Sequence, residues 1–244
     1  MKINPISMPK AMPNNNKKLN NPSFGFRPTL ENEIEVYPNS RKEFVQTVYN
    51  AISKYPPKLK EIIQNHNYTI TVTPSLNTTL LMRGIASPTT MLYEEKYPKC
   101  SMYTELEAKN NTKNIIIADK RPYSDNYAEN IVNFALSTAL TESLNLHKQL
   151  EIMETMHRDI VRFNLSGKLD KLNKNEARLL ATELLDNNGK IKELEIIPDL
   201  IAWNLGGGKY GSGLYNVHDQ FFTRNMFPET NYYLEGLLYK IKNK

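Results

Sequence analysis

The sequence predicts an α+β fold, with a small antiparallel or mixed sheet in its first half and a helical second half. Three observations predict it. The stretch YTITVT at residues 68–73 alternates β-branched residues as a strand does. MYTELEA and IIIAD flank the turn-forming KNNTKN as the two arms of a hairpin, with its second strand at Asn114–Asp119. Beyond Asp119 the apolar residues recur at helical spacing almost to the end, and no internal repeat is present.

Taken in order, Ser40 with Glu43 three residues on has capping-box spacing and predicts a helix carrying Phe44, Val48 and Ile52 on one face. Pro56 and Pro57 stop it, and a second helix runs from Lys58 to about Gln64 before the turn at Asn65–Asn67. Arg83 to Tyr97 has no clear period. After the hairpin, a long helix starts from a cap at Ser124 and runs through Tyr127, Ile131, Ala135 and Ala139 to about His147. Three more helices follow near Leu150–Phe163, Lys174–Leu185 and Pro198–Asn204, the last ending in the glycine run of NLGGGKYGSG. Phe227-Pro228 introduces a terminal helix, Glu229 to Lys240, whose buried face is expected to hold Tyr232, Tyr233, Leu237 and Leu238.

A chain of 244 residues with 40% hydrophobic content can bury one substantial core, so residues 40–243 are expected to form a single domain. Residues 1–28 are rich in Asn and Pro and poor in large apolar side chains, which predicts a disordered basic tail. The formal charge of +5 has its source there: Lys2, Lys10, Lys17, Lys18 and Arg27 stand without an acid, leaving 26 basic against 26 acidic residues elsewhere. A neutral domain lacks the basic face that nucleic acid requires, so no nucleic-acid partner is expected. No window is apolar enough for a membrane span or a secretory signal, and the single Cys100 excludes an intrachain disulfide, so a cytoplasmic home is expected.

Tests for catalytic chemistry fail in turn. GSG at Gly211–Gly213 is not a nucleophile elbow, and the glycine loop is not a phosphate cradle because Tyr210 follows Lys209. His66, His147, His157 and His218 include no i, i+4 pair that would place two imidazoles on one zinc.

The order strand IIIAD, loop, helix NIVNFALSTAL, then EIIPDLIAWNLGGG resembles the anthrax lethal factor-like zincin metallopeptidases, whose members carry an IVxHExGHAL-like helix and a later ExFAExFA-like helix. YPKCS before the hairpin and FPETNYYLEGLL near the end are also similar to bacterial members. The resemblance spans about residues 40–240 and implies a zincin-like fold in which the long helix is the active-site helix. Asn133 and Phe134 then fall on the first His-Glu, Ser137 on the second His, and Glu195 and Asp199 on the later acids. An amide, a phenyl ring and a hydroxyl cannot hold zinc or polarise its water, so no cofactor is expected for this chain, although the family uses zinc. Pro198 is a departure: inside a helix it clashes with the carbonyl of Leu194, whereas at N1 it would start a new helix and leave Glu195 before it.

The resemblance therefore implies a catalytically inactive, zincin-like pseudo-metallopeptidase that binds an extended peptide or protein. The strand Ile115–Ala118 is its expected edge, and Asn133, Ser137 and Glu195 the floor of its groove. Two alternatives stand beside it. One is an unrelated α+β interaction protein in which Glu129, Asn133, Ser137 and Thr141 form a solvated helix stripe. The other is a metallopeptidase with displaced ligands such as His147, His157 or Glu142 together with Glu195.

Overall fold

The computed structural model describes residues 30, 34–82, 102–107, 112–119, 127–186, 188–206 and 217–243. The expected tail at 1–28, the segment Arg83–Tyr97, the Ser124 cap and the glycines after Gly206 lie outside the described residues. The chain is mixed α+β, mostly helical, around a small sheet.

Helix α1 (Lys42–Lys54) follows from the i, i+4 stripe Phe44, Val48, Ile52, all buried, each contributing about 1.5–3 kcal/mol. Its start differs from expectation. Arg41 takes the cap position without a side-chain capping bond, and Ser40 Oγ donates to the Val72 carbonyl at 3.3 Å and so ties the loop to the sheet instead. Pro57 does not merely stop one helix; it opens α2 (Pro57–Asn65) from the first position, where a missing N–H leaves nothing unsatisfied. Asn67, at φ 58°, then turns the chain into β2.

Strands β1 (Ile34–Val36), β2 (Tyr68–Thr73), β3 (Met102–Glu107) and β4 (Thr112–Ala118) form one sheet in the order β1-β2-β4-β3. The sheet is not antiparallel as a whole. β1, β2 and β4 run parallel, since α1 and α2 cross between β1 and β2, and only the hairpin partner β3 runs antiparallel. The expected edge Ile115–Ala118 is also corrected. It belongs to β4, an interior strand between β2 and β3, and the unbroken run of isoleucines fits a strand buried on both faces. Alternation divides that run: Ile115 and Ile117 enter the main core, whereas Ile116 and Ala118 meet Leu76 and Leu80 of α3 (Leu76–Met82) on the other face.

Helix α4 (Tyr127–Ser143) ends before the expected His147 because Asn145 caps the next helix, α5 (Leu146–Leu165), by accepting from the Lys148 N–H at 2.9 Å. A capping box of Asn173 and Glu176 opens α6 (Lys174–Leu179), which widens into one π-helical turn over Leu180–Leu184. Then come α7 (Glu193–Gly206), α8 (Val217–Met226) and α9 (Pro228–Lys242). α4 packs between α1 and α7, and α9 joins α5, α7 and α2. Ile196, Ile197, Leu200, Ile201 and Ala202 are all buried, so α7 is a central helix rather than a surface one.

Candidate functional site

The stripe Glu129, Asn133, Ser137, Thr141 on α4 is not solvated as the unrelated-protein alternative required. Asn133 is half-buried, while Ser137 and Thr141 are buried, because this side of α4 turns toward the end of α1. Lys54 Nζ lies 3.2 Å from Glu129 at the rim. Below it, the phenol of Tyr55 faces Ser137 in the core. Both hydroxyls are buried, and neither makes a hydrogen bond of normal geometry. Burial pushes the Tyr55 phenol well above its ordinary value, with Ser137's hydroxyl pulling weakly the other way, so the phenol stays neutral. With no base hydrogen-bonded to it, Ser137 is no activated nucleophile. Ser137 has no exposed surface and so cannot touch a peptide in an open groove. Phe134 is buried as well, and its carbonyl accepts from Thr138 Oγ1 at 3.0 Å.

The later acids sit on α7. The helix runs unbroken from Glu193 through Pro198, so Pro198 does not start it, and Glu195 and Asp199 fall one turn apart inside it. Asp199 is buried, and it is engaged in an interaction. The side chain of Glu195 lies outside the described residues. The displaced-ligand candidates are dispersed. His147 pairs with Glu151 at 3.1 Å, His157 is exposed on α5, and Glu142 is held by Lys113 at 2.8 Å and by the Tyr68 hydroxyl. Among the described residues no three His, Cys, Asp or Glu side chains converge on a point where a metal ion would fit.

Two polar constellations brace the sheet at opposite ends. At the start of β2 and β4, burial and Glu142 raise the Tyr68 phenol, which therefore donates to Glu142 while Lys113 Nζ lies 3.2 Å from the phenol oxygen. Beyond the end of β4, Asp119 accepts from both Nε and Nη2 of Arg41 at 2.5 and 2.6 Å, a bidentate pair that fixes the start of α1 over the strand ends. Each constellation neutralises its own charge and presents no free nucleophile or base.

Among the described residues a groove of about 1420 Å³ lies between α2, α5 and α9, lined among others by Ile62, Lys148, Glu151, Arg158, Tyr232 and Tyr233. Tyr232 was expected in the core but is 78% exposed, since Leu234 and Leu238 take the buried face of α9. On the groove wall Glu151 accepts from Lys148 at 2.6 Å and from the Tyr233 hydroxyl, and these bonds hold its pKa down to about 2. Glu229, opposite, pairs with Arg158 at 2.6 Å and Arg162 at 2.5 Å, and its pKa is lowered by them. Lys148 and Glu151 are an i, i+3 pair that spacing could reveal, but Tyr233 finds Glu151 and Glu229 finds Arg158 more than seventy residues away along the chain, which spacing could not.

Among the described residues, no helix is long and apolar enough to cross a membrane. No protein-family model matches this chain, and no curated protein matches it.

Proposed function

We propose that this chain is a zincin-like α+β domain without a zinc site, which binds an extended peptide along β3 and hydrolyses no peptide bond. One observation carries the reading: the β3–β4 hairpin leads into α4, α4 packs against α7, and among the described residues no strand pairs with the outer side of β3. β3 thus takes the role expected of Ile115–Ala118. A free strand edge offers backbone donors and acceptors that an incoming strand can use with no metal or nucleophile. The strand's sequence holds Glu105 and Glu107 and no basic residue, which favours a basic peptide.

The residues at the resemblance's metal positions do not fit zinc. Asn133 and Ser137 supply an amide and a sealed hydroxyl, which give zinc no pair of ligands. A second reading is an interaction protein unrelated to zincins that takes no strand at β3; its solvated stripe is not seen, but the sealing of Ser137 leaves no groove floor at that position of α4. Fluorescence anisotropy with a basic extended peptide library separates the two. The proposal expects binding that is lost when alternate peptide nitrogens are methylated; binding indifferent to N-methylation, or none at all, refutes strand addition.

A further inference from the structure

Helix α5 is apolar on two opposite faces. Ile152, Thr155, Met156, Asp159 and Phe163 form its buried side. Directly opposite, Leu146, Leu150, Met153, Val161 and Leu165 recur at spacings of three, four and eight, with His157 filling the gap, and share one outward stripe. Leu146 is 70% exposed, Leu150 52% and Leu165 82%. A helix needs only one apolar face to join its own core, and a second one along about 30 Å of helix marks a contact surface.

We propose that this stripe is where a second copy of the chain docks, with the two α5 helices antiparallel about a two-fold axis passing between Thr155 and Met156. The stripe is close to palindromic about that axis, so it is self-complementary in that arrangement. Reversal sets Leu146 against Leu165 of the second copy and Leu150 against Val161, while Met153 and His157 fill the centre. Charge selects the same direction. The flank of the stripe carries Glu151 and Glu154 in its first half and Arg158 and Arg162 in its second. A two-fold antiparallel pair places like flanks together in reverse order, so Glu154 meets Arg158 of the second copy; a parallel pair would set this flank against the opposite one, which carries Gln149 and Ile160 and no charge. Within one chain Glu154 lies 3.5 Å from Arg158 and Arg162 lies 2.5 Å from Glu229, and with side-chain exposures of 74% and 66% Glu154 and Arg162 can extend these pairs across the axis. The inference is independent of the peptide proposal, since α5 and β3 are different surfaces.

Sedimentation velocity on the full chain at tens of micromolar tests it, and a monomer at that concentration overturns it. Leu150→Glu and, separately, Glu154→Arg should each weaken dimerisation, the first by at least about a hundredfold, the cost of a buried unpaired charge. Both positions are exposed in the single chain, so circular dichroism should be unchanged; a dimer that survives both changes overturns the proposal. In a Cys100→Ser background, His157→Cys should cross-link to itself through a short bismaleimide. Leu165→Cys should not, because its two copies would lie about 28 Å apart along the axis. Self-cross-linking at Leu165→Cys would refute the antiparallel arrangement.

Discussion

Replacing Asp159 by Ala should cost about 3 kcal/mol, because this one buried carboxylate on α5 performs the capping that the first turn of α9 cannot provide for itself. α9 begins Phe227-Pro228, and its cap position makes no side-chain hydrogen bond. The orphan N–H groups of Glu229 and Thr230 instead donate to Asp159 at 3.1 and 2.8 Å, and Thr230 Oγ1 donates to it at 2.8 Å. Asp159 is only 1% exposed, so water cannot replace it. A bond to a charged acceptor is worth about 1.5–3 kcal/mol, and a buried donor left alone costs about 1–3 kcal/mol. The negative charge at the positive end of α9 adds about 0.5–2 kcal/mol. Because the three bonds share one acceptor group, about 3 kcal/mol is the expected total rather than their sum. Asp159→Asn keeps one acceptor oxygen and loses the charge, so about 1–2 kcal/mol is expected. Urea unfolding followed by circular dichroism measures both. On a slope of about 3 kcal/mol per molar urea, the Ala variant's midpoint should fall by about 1 M with the slope unchanged. A fall of less than about 0.3 M would mean that α9 is capped by something else, and would refute the argument.

Further outcomes follow from other residues. The folded pKa of Glu151, about 2, lies below its ordinary value, so its bonds to Lys148 and Tyr233 add stability present above about pH 4.5 and lost as pH falls toward 2. Glu151→Gln should remove that part of the pH dependence in denaturation midpoints measured from pH 2 to 6, and an unchanged profile would show the contacts to be absent in solution. Tyr55→Phe removes a buried hydroxyl that makes no normal hydrogen bond, so stability should hold or rise by about 0.5–1 kcal/mol in thermal unfolding; a loss above about 1.5 kcal/mol would show that it is bonded to Ser137 after all. Mass spectrometry of protein purified without chelator and without a histidine tag should find near-zero zinc per chain, and one tightly held zinc would make a peptidase with unusual ligands the leading reading.

By itself the sequence determined what is local. The stripe Phe44, Val48, Ile52, the alternation YTITVT and the isoleucine run specify α1, β2 and β4, since each signal is complete within a few residues, although β4 begins at Thr112, two residues before the expected Asn114. The break at Asn145, two residues before the expected end at His147, is equally local, since an Asn side chain there caps the following helix. Only the tertiary structure decided what depends on distant partners. β4 is interior because β2 and β3 both pair with it, and the three residues of β1 are held as a strand by pairing with β2. The same holds at the candidate site. Spacing put Asn133, Ser137, Glu195 and Asp199 in two i, i+4 pairs. That Ser137 turns to Tyr55 and that Pro198 leaves α7 continuous were settled by packing against elements far along the chain. Periodicity records which face of an element is apolar, but which element covers that face is a property of the assembled core.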